Sequence, residues 1–207
     1  MSAELLLLAF GPFGSWAENS SGEVSTAACA QLIDRGVEVH RRVLDTSLSA
    51  VRLLLQELLE EPPRAILACG LSAQSAEVRI ERCARNLADF RIPDVDGLQP
   101  RGEPLVEEAP LQLVTELPVD VLLERMRACG VSAALSDDAG TYVCNALYFS
   151  LLYGLGPLTT KALFLHLPPL PRLLLREASQ ELAPSMTLPE QVRAVVVAAE
   201  LLLADNL

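Results

Sequence analysis

Short apolar runs alternate along this chain with longer segments in which apolar residues recur at the spacing of a helix face. The apolar runs are typical of strands or extended segments: Glu4 to Ala9, Val37 to Val43, Ala65 to Cys69, Val78 to Arg85, Val131 to Leu135 and Ala162 to Leu167. Helices are predicted over Glu23 to Arg35, Ser47 to Glu61, Val119 to Ala128, from Thr141 onward, and after the capping-box sequence Thr187 to Glu190. Strands that alternate with helices predict an α/β fold.

One long segment interrupts this alternation. Residues Asp89 to Pro110 are polar and contain several prolines, which predicts a loop. A loop of this length inside a compact domain is often functional. The remaining sequence contains no internal repeat and no linker, so residues 1–207 are expected to form one domain.

The charge of the chain excludes several partners and mechanisms. The formal net charge is −11, with 27 acidic against 16 basic residues, and such a surface repels the phosphate backbone of nucleic acids. Lys161 is the only lysine, and no glycine-rich phosphate motif precedes it, which argues against P-loop chemistry.

The two most apolar segments predict neither export nor a membrane span. Met1 to Phe10 carries Glu4 and no basic residue, so a strand is expected there rather than a signal peptide. Ala139 to Thr160 is uncharged, but its apolar part runs only from Tyr142 to Leu155. A bilayer requires about 20 apolar residues, so this segment predicts a buried helix.

The five cysteines are odd in number, and none of their spacings suits a zinc site. Reduced thiols in the cytoplasm are the simplest expectation. Cys144 stands at the start of the uncharged helix, where the helix dipole favours a thiolate and unpaired amides can hold an oxyanion. A buried, inert thiol is the alternative. That alternative is the expectation for Cys29, Cys69, Cys83 and Cys129, which fall inside elements or at a helix end.

Histidine chemistry is restricted to two residues. His40 lies on an alternating strand among charged neighbours, which predicts a surface position. His166 ends a buried run and precedes a proline loop, and open α/β sheets place their sites at such strand ends. A core histidine and a catalytic histidine both fit that position. Glu81, within an extended segment, either orients a histidine or pairs with Arg79 or Arg82 on a solvated face.

Six motifs follow one another along the chain at compatible spacing. They are Ala9 to Gly14 with Asn19, Ile80 to Arg82 with Asn86, Arg91 to Asp94, Gly97 to Pro100, Ser136 to Asn145, and His166 to Pro168. In this order they resemble motifs of pyroglutamyl peptidase I, or pyrrolidone-carboxylate peptidase, a cysteine peptidase family. The matching family patterns include G-F-x-P-F-G, E-R-x-A-x-N, R-I-P-D-N-x-G-x-Q-P, S-x-x-A-G-T-F-V-C-N and H-I-P.

The resemblance covers nearly the whole chain and implies both fold and activity. The implied fold is a single three-layer α/β/α sandwich with a mixed, mainly parallel central sheet, of the phosphorylase/hydrolase-like type. The implied activity is that of a cytoplasmic cysteine exopeptidase that removes N-terminal pyroglutamate from peptides. The family needs neither a metal nor an organic cofactor, and it often forms homotetramers, so a tetramer or dimer is expected.

The resemblance also assigns roles to individual residues. Cys144 matches the nucleophile, His166 the base and Glu81 the acid that orients the base, with Asp94 as the alternative for this third role. Arg91 matches an arginine beside the oxyanion site. The residues matched to the pocket for the pyroglutamyl ring are Phe10, Phe13, Asn19, Ile92, Tyr142 and Val143, with Leu71 contributing a backbone carbonyl.

The chain departs from the family near this ring pocket. Gly70 to Ser75 lacks the paired glycines and the arginine of the family motif G-Q-A-G-G-R, and Asp45 stands about where the family has threonine. The family has phenylalanine where this chain has Tyr142. Two alternatives therefore stay open. One is an inactive binding protein of the same fold, and the other is a nucleoside-phosphorylase-like enzyme, which would need a basic phosphate site.

Overall fold

The architecture is known from a computed structural model that describes residues 4–156, 160–174 and 184–204. In chain order, the strands are β1 (Leu5–Phe10), β2 (Val39–Leu44), β3 (Ala65–Leu71), β4 (Val78–Glu81), β5 (Cys83–Arg85), β6 (Gln112–Val114), β7 (Ala133–Ser136) and β8 (Lys161–Leu167). The helices are α1 (Ser20–Asp34), α2 (Leu48–Glu60), α3 (Val119–Ala128), α4 (Val143–Leu155), α5 (Pro171–Leu174) and α6 (Leu188–Leu203).

A six-stranded sheet in the order β2-β1-β3-β8-β4-β7 forms the central layer. Strands β1, β2, β3 and β8 run parallel to their neighbours among these four, whereas β4 is antiparallel to β8 and parallel to β7. Strands β5 and β6 form a separate antiparallel pair. The sheet is thus mixed and mainly parallel, as the sequence predicted.

Helices cover both faces of the sheet because the side chains of each strand alternate between them. Leu5 and Leu7 of β1 pack in one apolar cluster with residues of α1, α3 and α6. Leu8 and Phe10 of the same strand pack in a second cluster with residues of α2 and α4. The three-layer α/β/α sandwich is therefore confirmed, and the carboxyl ends of its parallel strands meet at one edge of the sheet.

The uncharged segment folds as α4 and is buried along most of its length. Asn145 ties its first turn to the neighbouring chain, since its Nδ2 donates to Arg85 O and Leu87 O while its Oδ1 accepts from Arg85 N. In the described part of the chain, no helix is long and apolar enough to cross a membrane.

The predicted loop is confirmed, and Asp94 anchors it. One carboxylate oxygen of Asp94 accepts from the amides of Asp96 and Leu98, and the other accepts from the amide of Leu48 at the start of α2. Within residues 89–110 the structure has no helix and no strand of the sheet, only an isolated bridge that joins Glu103 to Ala88.

Several predicted boundaries were wrong for local reasons. Helix α1 begins at Ser20 rather than Glu23 because the Asn19 side chain caps it, accepting from Ser21 N. The extended segment Val78 to Arg85 breaks into β4 and β5, and the strand predicted over Val131 to Leu135 lies at Ala133–Ser136. By contrast, α3 has the predicted bounds, and Thr187 and Glu190 form the predicted capping box.

Candidate active site

Three elements bring Cys144, His166 and Glu81 together. His166 is the penultimate residue of β8, Glu81 is the last residue of β4, and Cys144 is the second residue of α4. In the antiparallel pair of β4 and β8, Glu81 lies opposite Phe164. Because side chains two residues apart share a face of a strand, Glu81 and His166 point to the same side of the sheet.

A short hydrogen bond fixes the imidazole of His166. Its Nδ1 lies 2.8 Å from Oε1 of Glu81, whose side chain is fully buried. The ring of Phe164 packs against the imidazole with a centroid separation of 4.8 Å. The imidazole is thus held on one edge by a carboxylate and on one face by an aromatic ring.

Contacts with Cys144 and Glu81 change the pKa of His166. Burial by itself lowers the pKa of the imidazole, but hydrogen bonds with Cys144 and then with Glu81 outweigh it and raise the pKa from 6.5 to about 9. The contacts with Cys144 and Glu81 therefore favour the imidazolium form of His166.

The absence of a side chain at Gly70 leaves room for the Cys144 thiol against the sheet. A Cβ at this position would lie 2.9 Å from Sγ of Cys144 and 3.0 Å from Cζ of Phe164, closer than real Cβ contacts. Only glycine lets β3, the cysteine and the aromatic ring pack this closely. Gly70 was predicted only as the residue that ends a strand, without a role in the site. A glycine inside a buried strand was the available signal, since such a residue often marks a close approach.

A cavity of about 430 Å³ opens over Cys144 and His166. Its apolar side is formed by Phe13, Trp16, Leu71, Ile92 and Tyr142, and its polar side includes Arg79, Asp89, Arg91 and Asp138. The cavity therefore places both apolar side chains and charged groups around Cys144 and His166.

Tyr142 shapes this wall and stays neutral. Its hydroxyl donates to Pro93 O at 3.0 Å, and its ring packs against Phe13 and Phe90 at centroid distances of 6.1 and 4.6 Å. Burial, followed by the charges of Asp94 and Cys144, raises the pKa of the Tyr142 phenol to about 12. Tyr142 therefore acts here as an uncharged hydrogen-bond donor and an apolar surface.

Part of the residue set predicted for substrate binding lines this cavity: Phe13, Leu71, Ile92 and Tyr142, together with Arg91. Phe10, Asn19 and Val143 are not among its lining residues. Phe10 is buried against Phe164, and Val143 is buried in the first turn of α4. The Asn19 amide caps α1 and donates to Gly11 O at 3.2 Å, so its hydrogen-bonding groups already have protein partners.

The third position beside His166 is occupied by Glu81. The two carboxylate oxygens of Asp94, the alternative, accept backbone hydrogen bonds in the loop and at α2. His40 lies exposed on β2, as the sequence predicted. Four further cavity residues were not predicted, because each also fits an ordinary surface or turn position: Trp16, Arg79, Asp89 and Asp138.

Among the residues that the structure describes, no three side chains of His, Cys, Asp or Glu cluster in a way that could hold a metal ion.

A family model described as pyroglutamyl peptidase matches residues 3–205. The chain belongs to the pyroglutamyl peptidase family. It is 34% identical over 200 residues to a pyrrolidone-carboxylate peptidase of Yersinia pestis (strain Pestoides F), and the match covers 95% of this chain and 89% of that protein.

Solved structures of pyrrolidone carboxyl peptidases share the fold. The enzyme from Thermus thermophilus superposes with a TM-score of 0.84 at 35% identity, covering 95% of this chain and 98% of the other. A mutant enzyme from Pyrococcus furiosus gives a TM-score of 0.88 at 28% identity, covering 98% and 99%. The chain is thus a peptidase of the cysteine type that removes N-terminal pyroglutamate. These similarities support neither an inactive binding protein nor a nucleoside-phosphorylase-like enzyme.

The close packing at Gly70 leads to a first prediction for this pyroglutamyl peptidase. Gly70→Ala is expected to lower kcat/KM for a pyroglutamyl amide by about a hundredfold, because the added methyl group displaces Sγ from His166. Gly22→Ala is the matched control, since a Cβ at that helical position would lie 3.9 Å from the backbone oxygen of Phe10, an ordinary contact distance. Equal activity of the two variants would contradict the role of close packing at Gly70.

Proposed function

We propose that Cys144 is the nucleophile that cleaves the pyroglutamyl bond, with His166 as the acid–base group and Glu81 as the residue that orients it. One observation carries this proposal. His166 is hydrogen-bonded to the buried Glu81 at 2.8 Å, and its imidazole and Cys144 line the same cavity. This is the arrangement of nucleophile, base and orienting group that covalent catalysis requires.

In the first step the Cys144 thiolate attacks the carbonyl carbon that joins pyroglutamate to the next residue. The imidazolium of His166 is the counter-ion of that thiolate. The carbonyl oxygen becomes an oxyanion as the carbon becomes tetrahedral. Amides in the first turn of α4 supply hydrogen-bond donors, since the N-cap residue Tyr142 makes no side-chain hydrogen bond to that turn.

Arg91 is proposed to assist at the same stage. It lines the cavity with Cys144, and a guanidinium there adds positive charge where the oxyanion forms. When the tetrahedral intermediate collapses, His166 gives its proton to the leaving amine and the peptide departs. The acyl group then remains on Sγ as a thioester. A water molecule, deprotonated by His166, hydrolyses it and releases free pyroglutamate, while Glu81 keeps the imidazole in one orientation throughout.

The apolar wall of the cavity is proposed to hold the pyroglutamyl ring. Phe13, Ile92 and Tyr142 offer the faces of a slot for a flat five-membered ring, next to Cys144. The lactam carries one N–H donor and one extra carbonyl, and both need partners when they are buried. Backbone groups are the proposed partners, with Leu71 O as the acceptor for the N–H, because the Asn19 amide is committed to its contacts with Gly11 and Ser21.

This pocket predicts strong discrimination between pyroglutamyl and prolyl substrates. The two rings are nearly equal in size, but an N-terminal proline carries a cationic amine. Burying that ammonium against an apolar wall costs several kcal/mol, and contacts with aromatic faces return only about 1 to 2 kcal/mol. The charged lining residues include two arginines and two aspartates, so they provide no net attraction for a cation.

Pyroglutamyl amides are therefore expected to be cleaved with a kcat/KM at least about a thousandfold higher than that of the matching prolyl amides. The measurement compares two fluorogenic amides with the same leaving group at one pH. Asp45, the acidic departure from the family, is exposed and is not among the lining residues, so Asp45→Thr should leave the ratio unchanged. Comparable rates on the two amides would contradict the proposed ring pocket.

We further propose that the peptidase works in the cytoplasm as a dimer or tetramer. All five cysteines are free thiols, which suits a reducing compartment and preserves Cys144. Exposed apolar side chains near β6 and α4, among them Leu111, Val114 and Tyr153, support association of subunits. Sedimentation analysis of the purified chain tests this, and a monomer at micromolar concentration would contradict it.

A further inference from the structure

Arg79 lies beside the proposed catalytic groups, although the sequence suggested only a surface ion pair for it. It is the second residue of β4, two positions before Glu81, so both side chains point to the same side of the sheet. In the antiparallel register Arg79 lies directly opposite His166. Its side chain also lines the cavity that contains Cys144.

The guanidinium of Arg79 bridges Glu81 to the end of β7. Its Nε lies 3.6 Å from Oε1 of Glu81, the oxygen that contacts His166. One terminal nitrogen, Nη2, donates to Ser136 Oγ at 2.6 Å and to Asp138 O at 3.1 Å. These two hydrogen bonds fix the plane of the guanidinium and hold its charge against the carboxylate.

The buried carboxylate of Glu81 requires a compensating positive charge nearby. Its side chain is fully buried, and in the described part of the chain its Oε2 has no hydrogen-bond partner. A buried carboxylate is costly unless opposite charge and hydrogen bonds compensate it. His166 provides one compensating contact, but its charge belongs to the reaction, whereas the charge of an arginine is permanent.

The other side chains around Glu81 do not supply this fixed charge. Arg82, the next residue, forms its ion pair with Asp137. The hydroxyl of Tyr148 donates to the backbone carbonyl of Glu81 rather than to its carboxylate. Cys83 bonds Asp137 through its Sγ at 3.4 Å. Among these neighbours, Arg79 is the permanent cation in contact with the carboxylate.

We propose that Arg79 is a positioning residue for catalysis, which holds the Glu81 carboxylate in place so that Glu81 can orient His166. The proposal rests on the proposed roles of Glu81 and His166. It assigns Arg79 no contact with the substrate. Its effect must therefore pass through Glu81 and appear in the chemical step rather than in substrate binding.

A double-mutant cycle tests whether Arg79 acts through Glu81. Arg79→Gln is expected to lower kcat on a pyroglutamyl amide about tenfold and to change KM by less than about twofold. Glu81→Gln is expected to lower kcat about a hundredfold, because it removes the charge that stabilises the imidazolium. Adding Arg79→Gln to Glu81→Gln should then lower kcat by less than about a further twofold, since the carboxylate through which Arg79 acts is already lost.

Two further variants separate positioning from a structural effect. Arg79→Lys keeps the charge and should restore kcat to within about threefold of wild type. Arg85→Gln is the matched control: Arg85 pairs with Asp138 at 3.5 Å, the residue whose carbonyl also accepts from Arg79, and its loss should leave kcat unchanged. If Arg79→Gln does not fold, Ser136→Ala, which removes one anchor of the guanidinium, should lower kcat about threefold and only in the presence of Glu81.

The outcomes are distinct. A rise in KM at constant kcat would make Arg79 a substrate contact and overturn the inference, as would a full additional loss in the Glu81→Gln background. Wild-type kcat in both Arg79→Gln and Ser136→Ala, with a large loss of kcat in Glu81→Gln, would overturn the inference about Arg79 and leave the proposed role of Glu81 intact. Wild-type kcat in Glu81→Gln would contradict the proposed role of Glu81 and, with it, the inference.

Discussion

Cys144→Ala is expected to lower kcat/KM on a pyroglutamyl amide by at least about ten-thousandfold, because no other group can form the covalent intermediate. Cys144→Ser should also be poorly active, since a hydroxyl is far harder to deprotonate than a thiol. Turnover is measured on protein whose circular dichroism matches wild type. Near-normal turnover by folded Cys144→Ala would mean that the nucleophile has been assigned wrongly.

The other thiols provide the controls for this prediction. Cys69 is fully buried, and burial raises the pKa of its thiol to about 12, so it should resist alkylation. Cys129 is exposed but lies outside the cavity. Cys129→Ser is therefore expected to keep full activity and to remain sensitive to iodoacetamide. Substrate should protect against that inactivation, because it covers Cys144.

His166→Ala is expected to lower kcat/KM by at least about a thousandfold, whereas His40→Ala should change it by less than about twofold. Only His166 contacts both Cys144 and Glu81, and His40 lies exposed on β2. The two substitutions remove the same side chain, so general effects of losing a histidine cancel in the comparison. An equal loss in a folded His40→Ala protein would overturn the assignment of the base.

The pH profile provides a second measurement of His166. Its pKa is raised from 6.5 to about 9, so the imidazolium persists through neutral pH and is lost as the pH rises through about 9. Activity that depends on the imidazolium should therefore decline on the alkaline side near that value. In Glu81→Gln the decline should begin at lower pH, because one of the two hydrogen bonds that favour the protonated ring has lost its charge. An unchanged alkaline limb in Glu81→Gln would contradict this account.

The fold was largely predictable because its signals are local and strong. Ala65–Leu71 and Lys161–Leu167 are buried apolar strands, and the periodicity of Val119–Ala128 gave the bounds of α3. The prediction missed β6 because Gln112–Val114 is three residues long and mostly exposed, which leaves no clear alternation. It shortened α1 because Ser20 to Gly22 are poor helix formers, and only the cap at Asn19 makes them helical.

The position of the site residues was predictable where motifs carried it, and not where contacts between distant segments decide it. Cys144, His166 and Glu81 come together as the resemblance implied. Asn19, matched to the ring pocket, caps a helix in this structure, and its residue type could not reveal this because an asparagine suits both roles. Arg79 was missed because its importance arises from the antiparallel pairing of β4 with β8, which no local pattern reveals.

The reversed direction of β4 also determines how far Glu81 lies from bulk water. Near the start of β4, Arg79 lies opposite His166, and the strand runs from there toward the interior of the sheet. Glu81, at its end, therefore lies opposite Phe164. A parallel strand at this place would have carried its last residue outward to the solvent edge. With Glu81 fully buried and hydrogen-bonded to Nδ1, the imidazole stands between the carboxylate and the cavity. The carboxylate of Glu81 is therefore kept away from bulk water while it remains in contact with the imidazole.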